Sequence, residues 1–351
     1  YSEQRTMPTG KKTLSVYVVL ASLLLLTVIV CVSLGAVSVP FDKVVSVIAG
    51  KLLWLDTGAG IEKSQELIVW NVRLPRVLLA ATIGGGLSIV GAVMQAMFRN
   101  PLAEPGILGW SSGGAFFAVL VIYTGIHQQW FLLLPLAAFA GTLLTAYAVY
   151  GISRYRGFVE NTTLLLCGVA LGTLFVSLTT FVLSVSNAWS MKEMLFWIMG
   201  GVDSRTWTHF AMAAVPVLAA SVMLLFYAKN LNARLLGYET AKTVGIDIEK
   251  TTKHLIVLSS LIVGASVAVS GIVGFVGLII PHSIRLLIGV DHRRLLPASF
   301  IAGAIFLPAA DLIARTVMSP EELRLGIITS FIGVPFFVFL LRRNFSGRGL
   351  A

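Results

Sequence analysis

The chain is short of charge. Only 12% of its 351 residues are Asp, Glu, Lys or Arg, against about 25% in soluble domains. Together with a mean hydropathy of +0.89, that excludes an ordinary soluble fold. Cysteine is scarce as well. Cys31 and Cys167 both fall inside apolar runs, so they read as packing residues rather than as parts of a disulfide framework or a thiolate metal cluster. The histidines at 127, 209, 254, 282 and 292 lack the close spacing that a metal site needs. The pattern G-x-x-x-x-G-K-[ST] is missing, so no loop of this chain can cradle the phosphates of ATP.

Hydrocarbon is abundant instead. Apolar residues make up 57% of the chain, enough for roughly ten membrane spans of about 20 residues each. The first run, 14–36, holds no charge over 23 positions and follows Lys11 and Lys12. It is too long for a signal-peptide core and places the N-terminus, residues 1–13, inside. Further runs lie at 76–98, 106–126, 130–152, 162–183, 207–228, 295–317 and 326–341. The 37-residue stretch 254–290 reads as two helices, one of them short or broken near Gly271, Gly274, Gly277 and Pro281. The expectation is a single all-α polytopic domain over 1–351, with ten transmembrane helices and both termini cytoplasmic.

The net charge of +10 suggests nucleic acid in a soluble protein, but insertion into a membrane accounts for it here. With ten spans, 17 of the 26 Lys and Arg residues fall on the inner side, as cytoplasmic loops require. Arg73 and Arg76 break this pattern at the outer end of the second span. Interfacial anchoring is the plain reading of both. Residues 84–101 and 264–281 align weakly, with Gly84, Gly91, Val93 and Pro101 over Gly264, Gly271, Val273 and Pro281. A real repeat would place two copies in opposite directions, as in many transporters.

Residues 71–114 combine a glycine-rich helix at 84–91 with a proline-interrupted turn at 100–106; bare backbone of this kind lets membrane helices approach closely. These residues, and others along nearly the whole chain, resemble the FecCD family of ATP-binding-cassette (ABC) importer permeases. The resemblance rests on RLPR at 73–76, FRNPLAEPGILG at 98–109, LLLCGVALG at 164–172, FWIMGG at 196–201 and GYETAKTVGI at 237–246. It continues through VGFVGLIIPHSIRLLIGVDHRRLLPAS at 273–299, ADLIAR at 310–315 and LGIITSFIGVPFFVFLLRR at 325–343. Trp110, Ser283 and Val334 depart from the family's usual residues.

The resemblance implies a type II ABC importer permease fold in a bacterial inner membrane. It implies a homodimer served by a cytoplasmic ATPase dimer, which holds the ATP and Mg, and by a periplasmic binding protein that delivers a metal chelate: siderophore iron, haem or cobalamin. No cofactor, catalytic residue or nucleic-acid partner is expected on this chain. Arg73, Arg76 and Arg315 map onto arginines that pair with binding-protein carboxylates, a contact suited to the planar guanidinium. The polar stretch 229–253, with eight charges in 25 residues, maps onto the coupling loop through Gly237, Glu239, Thr240, Ala241 and Gly245. Asn100 with Leu102, and Asn161 with Thr162, map onto the cytoplasmic gate. Residues 184–206, with Trp189 and Trp197, map onto a short periplasmic helix near the cargo entrance.

Asp311 is the one acid well inside a span, four residues before Arg315. One reading makes it the proton carrier of an ion-coupled secondary transporter. The other pairs it with Arg315 on the same helical face.

Overall fold

The computed structural model of the protein describes residues 10–35, 37–53, 62–155, 158–237, 243 and 245–346. Apolar runs become helices because only intrasegment hydrogen bonding satisfies backbone in lipid. In chain order these are α1 (Gly10–Ser33), α2 (Phe41–Leu53), α3 (Lys63–Leu67), α4 (Leu74–Met97), α5 (Trp110–Thr124), α6 (Leu133–Ser153) and α7 (Asn161–Ser184). They continue as α8 (Ala188–Ile198), α9 (Trp207–Phe226), α10 (Ala228–Leu236), α11 (Ile248–Ser270), α12 (Val276–Ile288), α13 (His292–Thr316) and α14 (Leu325–Ser346). A π-helical turn, Ile68–Arg73, joins α3 to α4. A two-residue antiparallel ladder, Arg154–Tyr155 with Phe158–Val159, joins α6 to α7.

Among the described residues, seven helical segments are long and apolar enough to cross a membrane, and α5, α12 and the start of α14 are shorter apolar helices. All ten expected segments are therefore helical. α5, with 15 residues, reaches only about 22 Å at 1.5 Å per residue, less than the roughly 30 Å of a bilayer core. The stretch expected to break does so after Gly271, which leaves α11 with a φ of 65°, so 271–275 is non-helical and α12 starts late. Helix α2 was not among the expected elements. Its 13 residues include Asp42, Lys43 and Lys51, so it does not stand out as an apolar run.

Helix α4 is the centre of the molecule. All but two of its 24 residues are buried, whereas α7 buries five of its 24. Glycine makes this possible: a Cβ on Gly84 would lie 2.2 Å from the Gly303 carbonyl oxygen of α13, and one on Gly91 would lie 1.9 Å from the Gly277 oxygen of α12. The two segments aligned as a repeat do not correspond. Gly91 is helical and buried while Gly271 ends a helix, and Pro101 lies in a turn while Pro281 lies inside α12.

The helices have two common ends. One, here the cap end, carries α8 and the 124–133 and 199–206 connections. The other, the loop end, carries the 98–109 connection, the ladder of 154–155 with 158–159, and α10. Asp247 and Asp291 begin α11 and α13 there, their carboxylates accepting the backbone N–H of Lys250 and Arg293 at 3.0 Å each, the usual service of an Asp N-cap.

Candidate functional site

Two interrupted helices meet in the interior. The chain leaves α4 at the loop end, and a 3-10 turn, Pro105–Leu108, precedes Gly109. A Cβ on Gly109 would lie 2.6 Å from the Gly168 oxygen, which places this turn roughly 10 Å along α7 from its start. The connection therefore re-enters the bundle, and α5 completes the crossing. Opposite it, residues 271–275 precede α12, and Pro105 Cδ would lie 3.1 Å from a Cβ on Gly277. The Glu104 side chain lies close to the Phe275 backbone, where the two breaks meet. Phe275 itself has a φ of 67°, rare for a residue with a side chain, and its ring fills the space beside Gly333 of α14.

Gln95 of α4 repairs the backbone at this junction. Pro281 has no N–H to offer Gly277, four residues back. The Gln95 amide donates to the Gly277 and Leu278 oxygens at 3.2 Å each, and its own oxygen accepts from Arg285 Nη2 at 2.8 Å.

Beside the 271–275 break lies an apolar groove of about 770 Å³ between α8 and α14, lined by Ile198, Met199, Ile272, Phe275, Ile327, Phe331 and Val334, with Ser330 its polar side chain. The FWIMGG turn locks its cap-end wall. Gly201 N–H donates to Ser270 O at 2.8 Å, Leu325 N–H to Gly200 O at 3.1 Å and Gly326 N–H to Met199 O at 3.2 Å. Of the three family departures, Val334 lines this groove, Trp110 is fully buried in the core, and the Ser283 hydroxyl bonds the Ile279 carbonyl of its own helix.

At the cap end the structure brings Arg73, Arg76 and Arg315 together but turns them inward, each less than 10% exposed. Arg76 grips Asp311 bidentately, Nε to Oδ2 at 2.9 Å and Nη2 to Oδ1 at 2.8 Å, and also meets Glu322 at 3.1 and 2.8 Å. Arg73 donates to the Val32 and Ser33 carbonyls at the end of α1 and to the Val37 carbonyl beyond it, and Arg315 donates to the Cys31 carbonyl. The pairing expected within α13 is secondary: Arg315 Nε stands 3.9 Å from Asp311. The principal partner of Asp311 lies 235 residues away on α4, where no helical spacing reveals it. Arg76, Asp311 and Glu322 also line a polar cavity of about 480 Å³ with Asp203 and Arg324.

At the loop end the two expected gate pairs are neighbours. Asn161 Nδ2 donates to Met97 O at 2.8 Å, tying the start of α7 to the last turn of α4, while Asn100 Oδ1 accepts from Leu102 N–H at 2.9 Å to hold the following turn. Thr162 is exposed beside them. Helix α10 is bolted to the bundle. Asn230 and Arg234 donate to the Thr251 and Thr252 hydroxyls at 3.0 and 2.7 Å. Asn232 donates to Asp291 at 2.6 Å and accepts from His292 N–H at 2.8 Å. Burial and the nearby charge of Arg99 bring the Arg234 guanidinium down to about 10. Gly237 and Gly245 both have positive φ, 127° and 82°. Glu239, Thr240 and Ala241 lie outside the described residues.

A bundle with a re-entrant turn, a second broken helix facing it, an apolar groove beside that second break and a polar helix fixed to one end is a membrane transport subunit; discontinuous helices at mid-depth are where transporters build their paths. The sequence profile of the FecCD transport family matches residues 23–343, and the chain belongs to that family. It is 40% identical over 326 residues to the cobalamin import system permease protein BtuC of Halobacterium salinarum, covering 89% of this chain and 85% of that one. It is 38% identical over 280 residues to the hemin transport system permease protein HmuU of Yersinia pestis, covering 79% and 84%. A metal-chelate type ABC transporter solved in an inward-facing conformation superimposes with a TM-score of 0.82 at 31% identity, over 93% of this chain and 98% of that one. The chain is thus an ABC importer permease, and the ion-coupled reading of Asp311 falls: both its oxygens are engaged by Arg76, and its relatives are ABC permeases.

Proposed function

We propose that the chain crosses a bacterial inner membrane ten times, with both termini and the loop end in the cytoplasm, and imports a metal chelate as a homodimer. The cargo is cobalamin, haem or siderophore iron, and the path follows the groove between α8 and α14. A cytoplasmic ATPase dimer, with the ATP and Mg, seats on 229–253, and a periplasmic binding protein docks at the cap end. The observation that carries this reading is α10: a polar helix joined by hydrogen bonds to the starts of α11 and α13. A push on it moves those helices as rigid bodies. Asn100, Leu102, Asn161 and Thr162 close the path beside it, and Gly237, Glu239, Thr240, Ala241 and Gly245 form the coupling contact.

Docking acts through Arg76. Of its two carboxylate partners, Asp311 is buried, whereas the Glu322 side chain is 40% exposed and can yield to a carboxylate of the binding protein. Arg73 and Arg315 act from beneath by fixing the end of α1. Glu322→Gln removes the internal competitor, and partly exposed pairs are worth about 1 kcal/mol, so it is expected to tighten binding-protein affinity roughly fivefold. Titration of the reconstituted transporter with its binding protein tests this; unchanged or weakened affinity removes Arg76 from the docking contact.

A further inference from the structure

At the loop end, between the last turn of α4, the starts of α7 and α11 and the end of α10, lies a cavity of about 210 Å³. It is lined by Met97, Arg99, Asn161, Arg234 and Ile248. Sites for drug-sized ligands run to roughly 300–1,000 Å³, so this one is too small for a chelate cargo. It has room for a small ion and its waters, each of which takes about 30 Å³.

The charge of the lining is all of one sign. Arg99 is exposed and Arg234 is buried, at 7% exposure. Among the described residues no carboxylate stands within ion-pair distance of either guanidinium. The acids beside the two helix starts are engaged elsewhere. Glu160 accepts from the Thr163 hydroxyl at 2.9 Å, Asp247 pairs with Lys250 at 3.2 Å, and Glu249 pairs with Arg154 at 2.8 Å.

The Arg234 head group lies on the cavity wall. Its Nη1 donates to the Thr252 hydroxyl at 2.7 Å, and that hydroxyl donates to the Ile248 carbonyl at 2.7 Å. The other two guanidinium nitrogens, Nε and Nη2, have no acceptor among the described residues and are not sealed off. Arg99 is close enough for its charge, together with burial, to bring the Arg234 guanidinium down to about 10. Asn161 opens α7, whose N-cap side chain makes no capping bond. That leaves backbone N–H groups at the positive end of a 24-residue helix beside the two arginines.

We infer that this cavity binds a phosphate group, held between Arg99 and Arg234. A planar carboxylate presents one edge to one guanidinium, whereas a tetrahedral oxyanion can accept from two and from a helix start together. The group has two sources, free inorganic phosphate or the headgroup of an anionic lipid. Arg99 opens the turn that holds Asn100 and Leu102, and Arg234 belongs to α10, so the bound anion ties that turn to the polar helix. This consequence for transport rests on the permease reading; the binding does not.

Two measurements on the full chain, purified in uncharged detergent, test the inference and separate the sources. Equilibrium dialysis against labelled inorganic phosphate, with ionic strength fixed by chloride, reads the free ion. Native mass spectrometry after mixing with equal amounts of phosphatidylglycerol and phosphatidylcholine reads the headgroup. Saturable binding of one phosphate per chain, or selective retention of one phosphatidylglycerol, is expected. Arg99→Gln is expected to weaken whichever is seen about tenfold, as the loss of a charge-assisted contact does, and Arg99→Lys to keep most of it. The Arg99 side chain is exposed and bonds no other described residue, so its replacement leaves the fold intact. A wild-type chain that binds no phosphate and does not prefer phosphatidylglycerol overturns the inference, as does binding that Arg99→Gln leaves undiminished. ATP-driven uptake, measured separately, reports on the permease reading, so the two can fail independently.

Discussion

Gly91→Leu is expected to prevent assembly of a stable transporter, and Gly91→Ala to destabilise it severely. A Cβ at this position would stand 1.9 Å from the Gly277 carbonyl oxygen, well inside van der Waals contact with backbone that cannot rotate away. Overpacking a tight core costs about 1–3 kcal/mol, occasionally more, and here the obstruction is main chain on both sides. Moving α12 away would also break the Gln95 hydrogen bonds to Gly277 and Leu278. The control is Gly151→Ala in α6, where a Cβ meets nothing within 4 Å. That change is expected to be neutral or to stabilise by roughly 0.5–1 kcal/mol, since glycine inside a helix is unfavourable by that amount. Thermal unfolding of the purified chain in detergent distinguishes the two. Equal melting temperatures for Gly91→Ala and Gly151→Ala would show that α4 and α12 do not meet at Gly91.

Asp311→Asn is expected to have the second large effect. It removes the carboxylate from between Arg76 and Arg315, each only 6–8% exposed, and leaves their charges facing one another. Removing one partner of a buried ion pair costs about 3–5 kcal/mol, whereas replacing both with apolar side chains is often neutral. The double variant Arg76→Leu with Asp311→Leu is therefore expected to recover much of the stability lost in Asp311→Asn. A double-mutant cycle on unfolding free energy measures the coupling. Additive losses at the two positions would mean that the α4–α13 bridge contributes nothing. Partial recovery with lost binding-protein affinity would place Arg76 in both the fold and the docking contact.

The helical segments were legible in the sequence because lipid imposes a simple rule, a long apolar run for every crossing. The break at Gly271 was legible for the same reason: a stretch of 37 residues is too long for one crossing. Depth was not. The turn at 98–109 looks like an ordinary connection, and its re-entry into the bundle follows only from the contact of Gly109 with Gly168 and Gly172 of α7. Partnership was not legible either. The arginines were singled out by their side of the membrane, which says nothing about whether they face water or a carboxylate. The spacing of Asp311 and Arg315 is visible along one helix, whereas the stronger contact of Asp311, with Arg76, joins residues 235 apart. Gln95 was missed although a signal was present, since a proline inside a helix leaves a carbonyl that some donor must meet. That Arg99 and Arg234 lack counter-ions also depends on which carboxylates are already taken, and that is set by packing.

The central claim is that this chain moves its cargo only when a separate ATPase drives it. Uptake by proteoliposomes holding the chain, with and without the ATPase subunit and with and without an imposed proton gradient, tests it most directly. The expected result is chelate accumulation that needs the ATPase, ATP and the binding protein and is indifferent to the gradient. Accumulation driven by a proton gradient in vesicles without the ATPase would contradict it.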